Sequence, residues 1–164
     1  MSKDKLVLVT GVSGWIAQFC ALELIKQGYK VRGTLRNIER KKEVLDALSN
    51  EVNVKNKIEF CECDLLSDDG WDEAMTGCTY ALHVASPFVL AEPKNEDELI
   101  KPAKEGTLRA LRSAKNAGVK RVVVTSSLAA MFAHIRNGKI NPSQWTDLND
   151  SSLNAYQKSK TIAE

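Results

Sequence analysis

The sequence contains no apolar stretch that approaches the roughly 20 residues a transmembrane helix needs. Its first residues lead directly into the strand-like run Leu6-Val7-Leu8-Val9, without the layout of a secretory signal peptide. We therefore expect a cytoplasmic protein that does not associate with membranes.

An excess of charge of one sign is also missing. The 164 residues include 23 basic and 21 acidic side chains, for a formal net charge of +2. This balance argues against nucleic acid or a membrane surface as the partner, and it favours a small neutral or anionic ligand. Hydrophobic residues make up 43% of the chain, which is enough for one substantial core and excludes a disordered protein.

Histidine and cysteine are scarce. The two histidines, His83 and His134, lie far apart in the sequence, so no metal site is expected. The four cysteines do not have the spacing of a disulfide framework; they are Cys20, Cys61, Cys63 and Cys78. Cys61 and Cys63 lie two positions apart in an apparent strand and therefore share one face of it. We interpret the cysteines as reduced thiols of the core.

Short β-prone runs alternate with longer amphipathic stretches, and no linker or repeat interrupts this pattern. It is typical of βαβ units and predicts an α/β fold, a Rossmann-type doubly wound parallel sheet with strands in the order 3-2-1-4-5. The predicted strands are Lys5–Thr10, Lys30–Leu35, Lys57–Cys61, Tyr80–Val84 and Arg121–Ser126. The predicted helices are Trp15–Gln27, Ile38–Leu48, Asp68–Met75, Glu96–Asn116 and Ala155–Glu164. Residues 133–149 are predicted to form a surface loop that carries Trp145.

A glycine loop, Thr10-Gly11-Val12-Ser13-Gly14-Trp15-Ile16-Ala17, follows the first strand and opens the first helix. Gly11 permits a tight turn, Gly14 lets the backbone approach a pyrophosphate, and Ala17 allows the helix to pack closely on the strand. Phosphates would face the amides at the helix N-terminus. An ordinary strand-to-helix turn is the alternative, but the position in the first βαβ unit favours a dinucleotide site.

The end of the second strand lacks the carboxylate that NAD-binding proteins usually offer to the ribose 2′-hydroxyl. Arg36 stands there instead, and it could meet a 2′-phosphate through charge-assisted hydrogen bonds, as could Lys42. The sequence therefore favours NADP(H) over NAD(H). Arg40, Lys41 and Lys42 have an alternative interpretation as the solvated face of the second helix, so Arg36 is the preferred residue.

Tyr156 and Lys160 are spaced to lie on one face of the last helix. A lysine ammonium near a phenol stabilises the phenolate, so the tyrosine can exchange a proton with a carbonyl oxygen near neutral pH. Taken alone, this spacing more often marks an amphipathic helix. Thr125-Ser126-Ser127 ends the fifth predicted strand, at the sheet edge where ligands bind, and a serine there can hydrogen-bond a substrate oxygen.

Taken in order, these motifs resemble the extended short-chain dehydrogenase/reductases, and among them the dihydroflavonol 4-reductase-like group. That group includes cinnamoyl-CoA and methylglyoxal-type carbonyl reductases. The similarity rests on the glycine loop, Arg36, Asp64-Leu65, the run from His83 to Pro87, Thr125-Ser126-Ser127 and Tyr156-x-x-x-Lys160. It covers residues 1–164 as the N-terminal half of such a protein. We therefore expect an incomplete NADP(H)-binding domain without its substrate-binding part.

The resemblance implies roles for three residues in catalysis. Tyr156 would donate the proton, Lys160 would hold the nicotinamide ribose and tune Tyr156, and Ser127, rather than Ser126, would orient the carbonyl. The hydride would come from the cofactor. The implied cofactor-binding residues are Gly11, Ser13, Gly14, Trp15, Ile16, Arg36, Lys42, Asp64, Leu65, Ala85, Ser86, Thr125, Tyr156 and Lys160.

The expected activity is that of an NADPH-dependent carbonyl reductase that interconverts a ketone or aldehyde and its alcohol. Phe132 stands near the position of a flavonoid-contacting asparagine in plant dihydroflavonol reductases, so an apolar carbonyl compound is the expected substrate. Phe88, Met131 and Phe132 are candidate walls of its pocket, with core packing as the alternative.

Two other functions fit the same motifs. An NAD-dependent sugar-nucleotide epimerase or dehydratase shares the Ser/Tyr/Lys set, and a non-catalytic dinucleotide-binding module shares the fold. A homo-oligomer is also expected, because Val122-Val123-Val124 would leave unpaired backbone groups at an apolar sheet edge.

Overall fold

The structure is a computed structural model that describes residues 5–89, 91–132 and 137–164. These residues form two compact units. The sheet unit contains the chain up to Ala85 and Arg109–Thr125, and the helical unit contains Ser86–Leu108 and Ser126–Glu164. In the described ranges, no helix combines the length and apolar composition required to cross a bilayer.

The sheet unit is built on five parallel strands in the order β3-β2-β1-β4-β5. They are β1 (Leu6–Val9), β2 (Lys30–Leu35), β3 (Ile58–Glu62), β4 (Tyr80–His83) and β5 (Arg121–Val124). The predicted fold class and strand order are confirmed. The fifth strand ends two residues before its predicted end at Ser126, although the Thr125 N–H still donates to the His83 carbonyl over 2.9 Å.

Within the described ranges, six α-helices lie between or after the strands. They are α1 (Trp15–Lys26), α2 (Lys41–Ser49), α3 (Trp71–Met75), α4 (Asp97–Asn116), α5 (Ala129–Phe132) and α6 (Ala155–Ala163). A 3-10 turn over Ile38–Arg40 precedes α2, where a continuous helix was predicted from Ile38. The sequence did not predict α5, because four residues are too few to show a helical period. Residues 137–149 form turns without regular structure, as predicted, whereas residues 133–136 lie outside the described part.

Strand β1 is buried on both faces: adjacent residues of a strand point to opposite sides, and Leu8 and Val9 are both fully buried. Leu8 of β1 packs in one cluster with Trp71 and Met75 of α3 and with Ala110 and Ala114 of α4. Val9 belongs to a second cluster, whose other buried members are Val12, Ala17, Ala21, Ile25, Val31, Leu35, Val44 and Leu48. The glycine loop therefore begins at a strand that is packed on both sides.

Arg32 of β2 secures the C-terminus of α3. Its Nη1 donates to the carbonyl oxygens of Glu73, Ala74 and Thr76 at 3.2, 2.9 and 2.7 Å. Its Nε pairs with the Glu59 carboxylate at 2.6 Å. A helix leaves its last carbonyls without internal partners, and a cation is favourable at that end. Arg32 thus fixes a helix of only five residues against the sheet.

The four cysteines, all within the described residues, form no disulfide. Cys63 and Cys78 are buried in the cluster around Trp71, with Cys61 packed beside them. Burial raises the pKa of the Cys63 thiol to about 12 and also raises the pKa values of Cys61 and Cys78. The structure therefore agrees with the interpretation of these three cysteines as reduced thiols in or beside the core.

Two glycines around α3 have the same backbone conformation but different surroundings. Gly70 has φ +79°, and a Cβ built there would lie 2.2 Å from the Glu62 carbonyl oxygen. Gly77 has φ +77°, and its Cβ would meet no atom within 4 Å. At both positions the positive φ disfavours a residue with a side chain. Only at Gly70 would a Cβ also clash with another atom.

We expect Gly77→Ala to lower the free energy of unfolding by about 1–2 kcal/mol, the cost of a left-handed backbone in a residue with a Cβ. Gly70→Ala should lose a further 1–3 kcal/mol, roughly the cost of forcing an atom into a filled space. Urea unfolding of both variants measures the difference. Equal losses would show that the Glu62 carbonyl moves aside without cost.

Candidate active site

The glycine loop joins β1 to α1 and presents the uncapped N-terminus of that helix. Gly11 has φ +65°, and the Gly14 N–H closes the turn by donating to the Gly11 carbonyl at 2.8 Å. Gly14 is the N-cap residue, and among the described residues no side chain caps the helix. The first turn also contains no acidic residue. These amides can therefore receive an anion.

Two close contacts leave no room for larger side chains at the loop. A Cβ on Gly11 would lie 2.9 Å from the Cβ of Ala85, which follows β4. A Cβ on Gly33 of β2 would lie 2.5 Å from Cγ1 of Val12. The Gly11 N–H also donates to Oγ1 of Thr34 at 3.0 Å. The sequence analysis missed Gly33, although a glycine inside a strand is a signal of close backbone approach.

The Thr10 hydroxyl connects the loop to the end of β4. Its Oγ1 accepts from the N–H groups of Val84 and Ala85 at 3.0 and 2.9 Å, and it lies 3.1 Å from Nδ1 of buried His83. A hydroxyl oxygen has two lone pairs and one proton. With both lone pairs used, the proton points to His83 Nδ1, which makes that nitrogen an acceptor. His83 thus has a structural role, and the described residues hold no cluster of three or more His, Cys, Asp or Glu suited to a metal.

Basic side chains lie at the end of β2 and beside the loop. The Arg36 side chain is exposed, and its guanidinium has no hydrogen-bond or ion-pair partner in the described part of the chain. Arg40 donates to Ser13 Oγ of the loop at 3.2 Å and forms a two-point ion pair with Glu43 at 3.0 and 2.8 Å. Lys42 pairs along α2 with Asp46 at 2.6 Å. Arg40 therefore reaches the loop, whereas the sequence analysis gave it no preference.

The turn after β3 holds Asp64 and Leu65 in a defined geometry. The Asp64 carboxylate accepts from the Leu66 N–H at 2.8 Å, and its carbonyl accepts from the Trp71 indole at 3.0 Å. The Leu65 carbonyl accepts from Nη1 of Arg109 at 2.8 Å. Trp71 and Arg109 were not identified from the sequence, because they lie on separate elements. They hold this turn by hydrogen bonds to its two carbonyl groups.

Trp15 and Ile16 begin α1 as exposed side chains. Trp15 is 78% exposed, and its ring meets the Phe19 ring edge-on with centroids 4.9 Å apart. Trp15, Ile16 and Phe19 are thus three exposed apolar side chains at the start of α1, next to the glycine loop. Trp15 and Ile16 belong to the sheet unit. The same unit contains Gly11, Ser13, Gly14, Arg36, Asp64, Leu65, Ala85 and Thr125.

The helical unit contains Ser127, Tyr156 and Lys160. Tyr156 and Lys160 lie one turn apart on α6, and α6 packs against α5. Ser127 stands just before α5, and its Oγ accepts from the Ala129 N–H at 3.2 Å, which leaves the hydroxyl proton for another acceptor. Burial lowers the pKa of the Lys160 ammonium, and the carboxylate of Glu164 acts in the opposite direction. The hydroxyl, phenol and amine thus lie in one compact unit.

Neighbouring groups distinguish the two serines and surround the tyrosine. The Ser126 hydroxyl contacts the Glu164 carboxylate, whereas Ser127 makes no such contact in the described residues. The Phe88 ring meets the Tyr156 ring edge-on, with centroids 5.4 Å apart and an interplanar angle of 88°. Oγ of Ser86 is buried without a hydrogen-bond partner among the described atoms. Such an orphaned hydroxyl suits a bound polar group.

Comparisons with known proteins place this architecture in a family. Residues 8–164 match the model of the 3-beta hydroxysteroid dehydrogenase/isomerase family, and the chain belongs to that family. Dihydroflavonol 4-reductase of Hordeum vulgare is 35% identical over 87% of this chain and 40% of its own length. Cinnamoyl-CoA reductase CAD2 of Medicago truncatula is 36% identical over 97% of this chain and 51% of its own.

A solved structure supports the same grouping. Yeast methylglyoxal/isovaleraldehyde reductase Gre2, complexed with NADPH, superposes with a TM-score of 0.83 at 31% identity, over 96% of this chain and 50% of its own. These relatives confirm the resemblance to dihydroflavonol reductase-like proteins. The chain spans about half the length of the relatives it matches.

The Thr10 contacts predict a specific response to substitution. Thr10→Val keeps the shape of the side chain but leaves two backbone N–H groups without their acceptor. We expect it to lower the free energy of unfolding by about 2–3 kcal/mol, the scale of unsatisfied buried donors. Thr10→Ser keeps the hydroxyl and should lose less than about 1 kcal/mol, the scale of removing one methyl group. If urea unfolding gives the same loss for both variants, the hydroxyl does not hold this junction.

Proposed function

We propose that this chain is the cofactor-binding and catalytic part of an NADPH-dependent carbonyl reductase, which interconverts a ketone or aldehyde and its alcohol. The observation that carries the proposal is the grouping of Ser127, which lies just before α5, with Tyr156 and Lys160 of α6 in one compact unit where the two helices pack together. The names of the relatives, which are reductases of carbonyl compounds, support it.

Each of the three residues has a role in the proton side of the reaction. The Tyr156 phenol donates its proton to the carbonyl oxygen, and the Ser127 hydroxyl donates a hydrogen bond to the same oxygen. Lys160, buried one turn further along the same helix, would stabilise the phenolate with its positive charge. When bound, NADPH supplies the hydride for the carbonyl carbon.

The residues of the sheet unit fit the polar groups of such a cofactor. The uncapped N-terminus of α1 suits a pyrophosphate, and Gly11 lets the loop lie against Ala85, where a Cβ would clash. Arg36, with Arg40 beside the loop, suits a 2′-phosphate. Asp64 and Leu65 would border the adenine, and Ser86 offers an unpaired hydroxyl in the helical unit. Lys42 is already paired with Asp46, so it is less available than Arg36 to bind a 2′-phosphate.

Apolar side chains next to the catalytic residues favour an apolar substrate. Phe88 packs on Tyr156 and is still 67% exposed, and Leu128, beside Ser127, is 64% exposed. Met131 and Phe132 on α5 are half-buried. A carbonyl compound with an apolar substituent would cover the exposed faces of Phe88 and Leu128.

Tyr156→Phe tests the catalytic role. In the full-length gene product, we expect carbonyl reduction to fall by roughly 10²-fold or more, because the phenyl ring has no proton to donate. NADPH binding should remain nearly unchanged. NADPH oxidation with a panel of aldehydes and ketones measures the rate, and fluorescence titration measures binding. A variant with more than half the normal rate would remove Tyr156 from the mechanism. Tightly retained NAD without carbonyl turnover would favour the epimerase alternative.

Arg36→Ala tests the cofactor preference. Loss of a hydrogen bond to a charged group should weaken NADPH binding by about 1.5–3 kcal/mol and leave NADH binding nearly unchanged. Lys26→Ala is a matched control, because it removes one positive charge from the far end of α1. Calorimetric titration with both cofactors separates the outcomes. Equal losses for NADPH and NADH would show that Arg36 does not read the phosphate.

A further inference from the structure

Three side chains from residues 88–96 contact the first turn of α6, all within the helical unit. The Phe88 ring packs on the Tyr156 ring, the Glu92 carboxylate accepts from the Ala155 N–H, and the Glu96 carboxylate pairs with Lys158. The contacts therefore fall on the residue before Tyr156, on Tyr156 itself and on the second residue after it. No motif in the sequence singled out either glutamate.

Glu92 supplies an acceptor that α6 lacks. Ala155 is the first residue of the helix, so its N–H has no carbonyl partner inside it. A capping box already uses Asn154 and Gln157, whose side chains each bond the other residue's backbone N–H. Oε1 of Glu92 accepts from the Ala155 N–H at 2.7 Å. A negative charge near the N-terminus of a helix also interacts favourably with the helix dipole, so the contact stabilises the first turn.

Glu96 fixes the other side of the same turn. Its Oε1 lies 2.6 Å from Nζ of Lys158, whose side chain is only 24% exposed. An ion pair on an open surface contributes little, but one with a half-buried lysine also restrains a long side chain. Since α6 has only nine residues, its own hydrogen bonds hold it weakly. The rotation of the first turn, and with it the direction of Tyr156, depends on such outside contacts.

We propose that Glu92 and Glu96 are positioning residues for Tyr156, an inference that rests on the proposed reductase function. Neither glutamate needs to touch the substrate. Both act through α6, because they bond its backbone and Lys158 on either side of the tyrosine. The hydroxyl of Tyr156 must meet the carbonyl oxygen within a narrow range of distance, so a small shift of this turn slows proton transfer.

The first experiment removes both carboxylate charges in the full-length gene product. Glu92→Gln combined with Glu96→Gln should lower kcat by about tenfold through misplacement of the proton donor, with NADPH affinity within about twofold of normal. Glu98→Gln is the matched control. It removes one charge from the first turn of α4, and the Glu98 side chain has no ion-pair partner among the described residues. A double variant that behaves like Glu98→Gln would overturn the proposal.

The second experiment exchanges the two charges of the ion pair between residues 96 and 158. Glu96→Lys alone should lower kcat, and adding Lys158→Glu should recover most of the loss, since the two charges again attract. A general loss of fold would not be rescued in this way, so failure of the swap counts against positioning. If the double glutamine variant does not fold, Glu92→Asp replaces it. That variant keeps the charge but shortens its reach, so kcat should still be lower than in Glu98→Gln, and an unchanged kcat would overturn the proposal.

Amide hydrogen exchange gives a readout that is independent of turnover. Exchange at residues 155–158 should become faster in the double glutamine variant than in Glu98→Gln, because the first turn opens more often. Unchanged exchange would overturn the proposal. Tyr156→Phe distinguishes failure of the proposed function from failure of this inference alone. If it leaves turnover unchanged, the proposed function and this inference both fail. If it abolishes turnover while the glutamine pair behaves like the control, only the inference fails.

Discussion

The Thr10 hydroxyl is the contact on which the sheet-unit part of the candidate site depends. It lies at the end of β1 and binds two backbone N–H groups after β4, so two neighbouring strand ends are joined by one oxygen atom. Because Gly11 then lies against Ala85, the glycine loop has one available path to α1. The uncapped amides of that helix are positioned as a result.

In the helical unit, the candidate catalytic residues lie on or beside short helices. Helices of four and nine residues gain little from their own hydrogen bonds. Their geometry comes from side chains that lie outside them. Thr146 bonds the Ala129 carbonyl at 2.6 Å, and Glu92 and Glu96 hold α6. The positions of the reactive groups therefore depend on these polar contacts.

The sequence predicted the strands, their order and the helix that carries Tyr156, because alternating β-prone runs and helical periods are local signals. Neighbouring parallel strands and right-handed crossovers then leave few possible topologies. The contacts between distant segments left no such signal. Thr10 and His83 are 73 positions apart, Arg109 and Leu65 are 44 apart, and Glu92 and Ala155 are 63 apart. Arg40 was visible in the sequence, but a basic residue at a helix start is usually solvated, and only its contact with Ser13 sets it apart.

The buried thiols have a chemical consequence under the proposed function, in which the protein meets carbonyl compounds. Aldehydes are electrophiles, and the thiolate is the nucleophilic form of cysteine. Burial raises the pKa of the Cys63 thiol to about 12, so the thiol stays protonated at neutral pH. Cys61 and Cys78 share its surroundings, and burial raises their pKa values as well. Burial of Cys63 and Cys78 and the raised pKa values both disfavour reaction with an aldehyde, and an adduct at Cys63 would place a bulky group in the cluster that contains Trp71.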